Sequence, residues 1–101
     1  MKTSEFVDAI TDEITYCLSL LDNKGTEYAL DEDRLLVFKR AADVQGETPK
    51  QALCGMLAKH IISVYDMCMS DMEFTKDRWR EKITDSINYF LILWAMVNEN
   101  G

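Results

Sequence analysis

Apolar positions along the chain recur at helical spacing and are separated by short polar breaks. Phe6, Ile10, Ile14, Cys17 and Leu21 fall within one arc of less than a quarter turn, which predicts a helix over residues 4–23 with a buried stripe. Ser4 is placed to cap its start. "DNKGTEYALDED" then breaks the pattern, with Gly25 the expected C-cap and an acidic loop after it. A second helix over 32–45 turns Leu35, Phe38, Ala41 and Ala42 inward and stops at Gly46. In "ETPK", Thr48 stands as N-cap and Pro49 at the first helical position, so a third helix opens there and runs over 49–69. Its apolar arc holds Leu53, Leu57, Val64 and Met67, with His60 inside it. A fourth helix over 75–98 follows "SDMEFT". Four amphipathic helices with short connections predict a single all-α domain over 1–101, a four-helix antiparallel bundle with the short second helix packed across it.

The last helix carries the least ordinary pattern. At 100° per residue, Trp79, Ile83, Ile87, Phe90, Trp94 and Val97 share one face, the expected core face. Glu81, Asp85 and Asn88 lie opposite, and that direction continues into Ile92 and Ala95, with Leu91, Leu93 and Met96 beside it. A solvated stripe stays polar along its length, whereas this one turns apolar. The C-terminal half is therefore expected to be covered on both faces, by another helix or by a second subunit, making the protein a homo-oligomer.

Composition narrows the chemistry. A chain of 101 residues with 48% hydrophobic and 29% charged residues is ordinary globular material. Four Gly and one Pro leave few breakers, consistent with long helices. The net charge of −7 argues against binding a nucleic-acid backbone directly. Cys17, Cys54 and Cys68 lack metal-ligand spacing and are expected to be reduced, mostly buried thiols of a cytoplasmic protein. The N-terminus has no signal-like apolar segment, and the longest apolar run, Tyr89 to Val97, is nine residues, so no membrane span is expected. There is no phosphate-binding glycine loop, no Ser/His/Asp arrangement, and a single histidine. Any catalysis would fall to carboxylates and a metal.

On the third helix, Lys59, Ser63 and Asp66 form a polar stripe beside the apolar arc. With the last two helices side by side, Asp66, Glu81 and Asp85 are expected to converge on a site suited to Mg²⁺. Arg34 is expected on the inward side of its helix, where it needs an acid or a phosphate as partner. His60 is expected to be a hydrogen-bonded core residue rather than a ligand.

"NKGTEYALDEDRLLVFKRAA", "LAKHIISVYDM" and "EKITDSINYFLILWAM" resemble segments of small helical proteins of phage and prophage genomes. That group is distantly similar to the all-α nucleoside-triphosphate pyrophosphatase superfamily, with its MazG-like enzymes and dimeric dUTPases. The resemblance spans residues 20–97 and implies a MazG-like, oligomeric bundle that binds Mg²⁺ through paired acids on adjacent helices. It further implies cleavage of a nucleoside triphosphate to monophosphate and pyrophosphate. In this chain the second acid pair corresponds to Glu81 and Asp85, spaced i, i+4, with Lys82 three residues before Asp85. The first is represented by Asp66 alone, with Lys59, His60 and Ser63 nearby.

Two functions stay open at this point. One is a Mg²⁺-dependent pyrophosphohydrolase acting on, or a protein binding, (deoxy)nucleotides. There Asp66, Glu81 and Asp85 would serve as metal ligands and catalytic acids, Lys24, Arg34 and Lys59 as phosphate contacts, and His60 and Asn88 as orienting groups. The other is a non-catalytic protein of a mobile element that inhibits a host defence protein or sequesters a nucleotide signal.

Overall fold

The computed structural model describes residues 1–26 and 33–99, the side chains of 23–26 excepted. It is all-helical, with α1 Thr3–Thr26, α2 Leu36–Gln45, α3 Pro49–Met69 and α4 Lys76–Asn98. The chain divides into two compact units, Met1–Glu32 and Asp33–Gly101.

The first unit is α1. Its stripe is not buried as the spacing predicts: Phe6, Ile10 and Ile14 are exposed, as are Val7 and Leu18. A single helix has no neighbour within its own unit against which to bury a stripe. Cys17 is the exception, being fully buried, with its thiol donating to Glu13 Oε2 at 3.4 Å. Gly25 does not cap the helix, which runs on to Thr26. The loop expected after it lies outside the described residues.

The second unit is built on α3, which packs against both α2 and α4. Local chemistry sets each boundary. Asp33 accepts from the Leu35 backbone N–H through Oδ1 at 2.9 Å, and α2 starts only at Leu36, later than its apolar spacing suggests. Gly46 ends it at φ 67°, a left-handed conformation that a side chain resists, and its N–H bonds Ala42 O. Thr48 and Gln51 then form a reciprocal capping box, the Thr48 hydroxyl accepting from Gln51 N and the Gln51 side chain from Thr48 N. Thr75 caps α4 by accepting from Arg78 N at 3.1 Å.

The core joins Phe38 of α2, Leu53 and Leu57 of α3 and Met96 of α4. Leu35, Met56, Tyr89, Ile92 and Leu93 pack around it. Leu53 near Met96 and His60 near Asp85 make α3 and α4 antiparallel. The inward positions expected on α2 and α3 are largely met: Phe38, Ala42, Leu53, Leu57 and Met67 are buried, and Leu35, Ala41 and Val64 half-buried.

On α4 the expected core face is reversed. Ile83, Phe90, Trp94 and Val97 are exposed, Trp94 to 66%, while Met96 is buried and Ile92 and Leu93 pack on the core. A helix that is apolar on both sides cannot be oriented by periodicity alone. On the side that packs, Asp85 meets His60 of α3, and Glu99 just past the helix end meets Lys39 of α2. Ile92 and Met96 are thus consumed within the chain and do not supply a surface for another subunit.

Among the described residues α3 is the one helix long and apolar enough, by length and composition, to cross a membrane, a feature that counting unbroken apolar runs misses. Its position between two other helices accounts for part of that apolarity. Its outward side, with Ile61, Ile62, Tyr65 and Met69, is exposed and apolar as well. Cys54 and Cys68 are exposed too, so only one of the three free thiols is buried.

Candidate functional site

The polar stripe of α4 faces α3, and the groups it meets there form the main polar cluster of the helix pair. Asp85 Oδ2 lies 3.8 Å from His60 Nδ1. The imidazole rests on the Tyr89 ring, with centroids 4.9 Å apart and planes tilted by 33°. Asp85, Tyr89 and Ile92 come at i, i+4, i+7, so one turn of α4 carries the seam from polar to apolar. Asn88 is half-buried beside them in sequence, and its buried Oδ1 has no hydrogen-bond partner among the described residues. His60 therefore sits half-buried in the apolar arc with Asp85 at ion-pair distance rather than within hydrogen-bond reach, so the hydrogen bond expected of it is not made to Asp85.

The three carboxylates expected to bind metal are not brought together. Asp66 is exposed, about 140° round α3 from Leu53 at 100° per residue and turned away from the seam. Glu81 is exposed on α4 and lies 3.7 Å from Arg78 Nη1 one turn earlier. Asp85 faces His60. Among the described residues no group of three His, Cys, Asp or Glu side chains could hold a metal ion. The donor set of this chain does not fit Mg²⁺ as arranged, because two of its three acids face basic side chains and the third points elsewhere.

The expected phosphate contacts are equally dispersed. Lys59 is exposed on α3. Arg34 is exposed in the turn before α2 rather than inward, since the helix on which its direction was projected begins two residues later. The side chain of Lys24 lies outside the described residues.

A second polar cluster is not apparent from spacing. Lys39 Nζ bridges Asp33 Oδ2 at 2.7 Å and Glu99 Oε2 at 2.9 Å, tying the turn before α2 to the residue that ends α4. Its ammonium holds the Asp33 carboxyl below its ordinary value, and the two carboxylates raise the Lys39 ammonium above its own. Beside it, a recess of about 310 Å³ is lined by Leu35, Lys39, Thr48, Pro49, Lys50, Met96 and Glu99. Lys39 is already satisfied by two acids and Thr48 by its capping box, so the recess presents a packing gap more than a set of waiting donors.

Tyr89 was not singled out by the sequence pattern, although its position four residues after Asp85 on the same stripe would have flagged it. The Lys39 bridge spans 60 residues to Glu99 and has no local signal.

No family model, curated protein or solved structure matches the chain. The likeness to phage proteins and to the MazG-like superfamily accordingly receives no support beyond the segments that suggested it.

Proposed function

We propose that this chain is a non-enzymatic helical protein that acts by associating with protein through its apolar helix faces. The observation that carries this is α4. From Ser86 to Asn98 it has no charged residue, and its outward side stays exposed as Phe90, Leu91, Trp94 and Val97. Exposed apolar surface of this continuity marks a contact surface in a folded protein. Dispersal of Asp66, Glu81 and Asp85 points the same way, since it leaves no assembled carboxylate centre among the described residues. Inhibition of a host protein by a small acidic protein of a mobile element is one form such association would take.

Nucleotide binding is the second reading. It draws on the α3–α4 seam, where Asp85, His60 and Tyr89 meet and the buried Asn88 Oδ1 has no hydrogen-bond partner among the described residues. An aromatic ring beside an imidazole–carboxylate pair suits stacking of a heterocyclic base.

A thermal-shift screen of nucleotides with and without Mg²⁺ separates the two, no shift being expected for association and a shift for nucleotide binding. Turnover tests for hydrolysis. The chain is incubated with ribo- and deoxyribonucleoside triphosphates and Mg²⁺ or Mn²⁺, and phosphate and pyrophosphate release are followed. No release above buffer is expected. Metal-dependent release that disappears in Asp85→Asn, with helix content intact, would replace association with hydrolysis.

A further inference from the structure

We propose that the outward face of α4 is the contact with a second copy of this chain, formed by Ile83, Ile87, Phe90, Trp94 and Val97; this rests on the association function above and names the partner. The steps between these residues are four, three, four and three. That is the heptad spacing by which one helix presents a continuous seam of knobs to another helix. Loops, flat sheets and small molecules have no need of such a repeat. The seam covers four turns, about 21 Å at ~1.5 Å per residue.

Three features specify a second copy as the occupant. Charge is the first: each chain carries −7, so two copies repel wherever acidic surface meets acidic surface. Between Asp85 and Glu99 α4 has no charge of either sign, making it a stretch where two such chains can approach closely. Area is the second. Ile83, Phe90, Leu91, Trp94 and Val97 are 38%, 52%, 42%, 66% and 50% exposed. Taking ~150–250 Å² for each aromatic and somewhat less for each aliphatic side chain, they offer roughly 500 Å² of apolar surface. A stable dimer needs about 800 Å² from each partner, of which an apolar centre of this size with a polar rim is the usual make-up. Symmetry is the third: the seam is apolar along its length with Phe90 at its middle, so it is complementary to itself about a two-fold axis. Trp94 is the residue type and exposure expected of an energetic anchor in such a contact.

Light scattering during size-exclusion chromatography tests it at 1–100 µM. The wild type is expected at twice 11.7 kDa at the upper concentrations. Trp94→Asp is expected at the single-chain mass with helical circular dichroism unchanged, and Val97→Lys, at a smaller side chain on the same seam, gives a second variant should the first unfold. Added NaCl is expected to strengthen the dimer by screening the −7 charges. A wild-type single-chain mass at 100 µM overturns the proposal. So does a dimer that survives both variants, which would place self-association elsewhere and leave the association function standing. Failure of that function is read separately, from metal-dependent nucleotide turnover.

Discussion

Met96→Ala separates the two possible orientations of α4. Met96 is 8% exposed and packs in the cluster of Phe38, Leu53 and Leu57, where three helices meet. Truncation removes three heavy atoms from this cluster and leaves a cavity, a change that costs about 2–4 kcal/mol when neighbours relax only in part. A chain this size has roughly 5–15 kcal/mol of stability in all, so the loss is large. With a urea slope near ~1 kcal/mol per molar, the midpoint falls by about 2–4 M. The measurement is made by circular dichroism in a Trp94→Asp background, so that self-association does not contribute. Val97→Ala in the same background is the control. Its side chain is one residue away and half exposed, and it is expected to cost under ~1 kcal/mol. If Met96→Ala costs no more than Val97→Ala, α4 is not oriented as described and the reasoning about its two faces fails.

Two further outcomes follow from local structure. Gly46→Ala is expected to destabilise by ~1–2 kcal/mol, because φ 67° is unfavourable for any residue with a Cβ; no atom stands within 4 Å of that Cβ, so the cost is conformational. Thermal melts of the two proteins measure it, and an unchanged midpoint would contradict the left-handed cap. The Lys39 bridge gives a pH signature. The Asp33 carboxyl is depressed on folding, so its contribution is present above its ordinary value of 3.8 and lost as pH falls through its lower folded value. Lys39 is raised, so its contribution holds below its ordinary value of 10.5 and is lost as pH rises through the higher folded value. The melting difference between wild type and Lys39→Met should therefore be flat from about pH 5 to 9, fade at both extremes, and shrink in ~1 M salt. A difference indifferent to both pH and salt would show that Lys39 acts through its packing alone.

How much was legible in the chain depends on what marks each feature. Boundaries were legible wherever a residue acts through its own backbone: Gly46, Thr48 with Pro49, and Thr75 place the ends of α2, α3 and α4 to within a residue or two. Thr3–Thr26 overruns its expected stop because Gly25 is accommodated within the helix, where glycine costs only about 1 kcal/mol. Periodicity located the inward sides of α2 and α3, whose expected inward positions are buried or half-buried. It could not orient α4, which is apolar on two sides in its C-terminal half, because the choice between them depends on the neighbours that Ile92, Leu93 and Met96 meet on other elements. The three acids do not converge as expected, for a related reason. Spacing put Glu81 and Asp85 on one stripe, but only tertiary structure shows that Asp66 points away from it and that Arg78 and His60 stand beside the other two. Arg34 shows the cost of projecting a helix that has not yet started.

The central claim, that the outward face of α4 is a protein contact with a second copy, is tested most directly by watching that face. In Trp79→Phe the only remaining indole is Trp94, 66% exposed in the single chain. Its emission is recorded as protein concentration rises from 10 nM to 100 µM. The indole is expected to emit as a water-exposed group at the low end and to shift to the blue, with loss of acrylamide quenching, as the seam closes against its copy. Emission that stays that of an exposed indole across the whole range would contradict the claim.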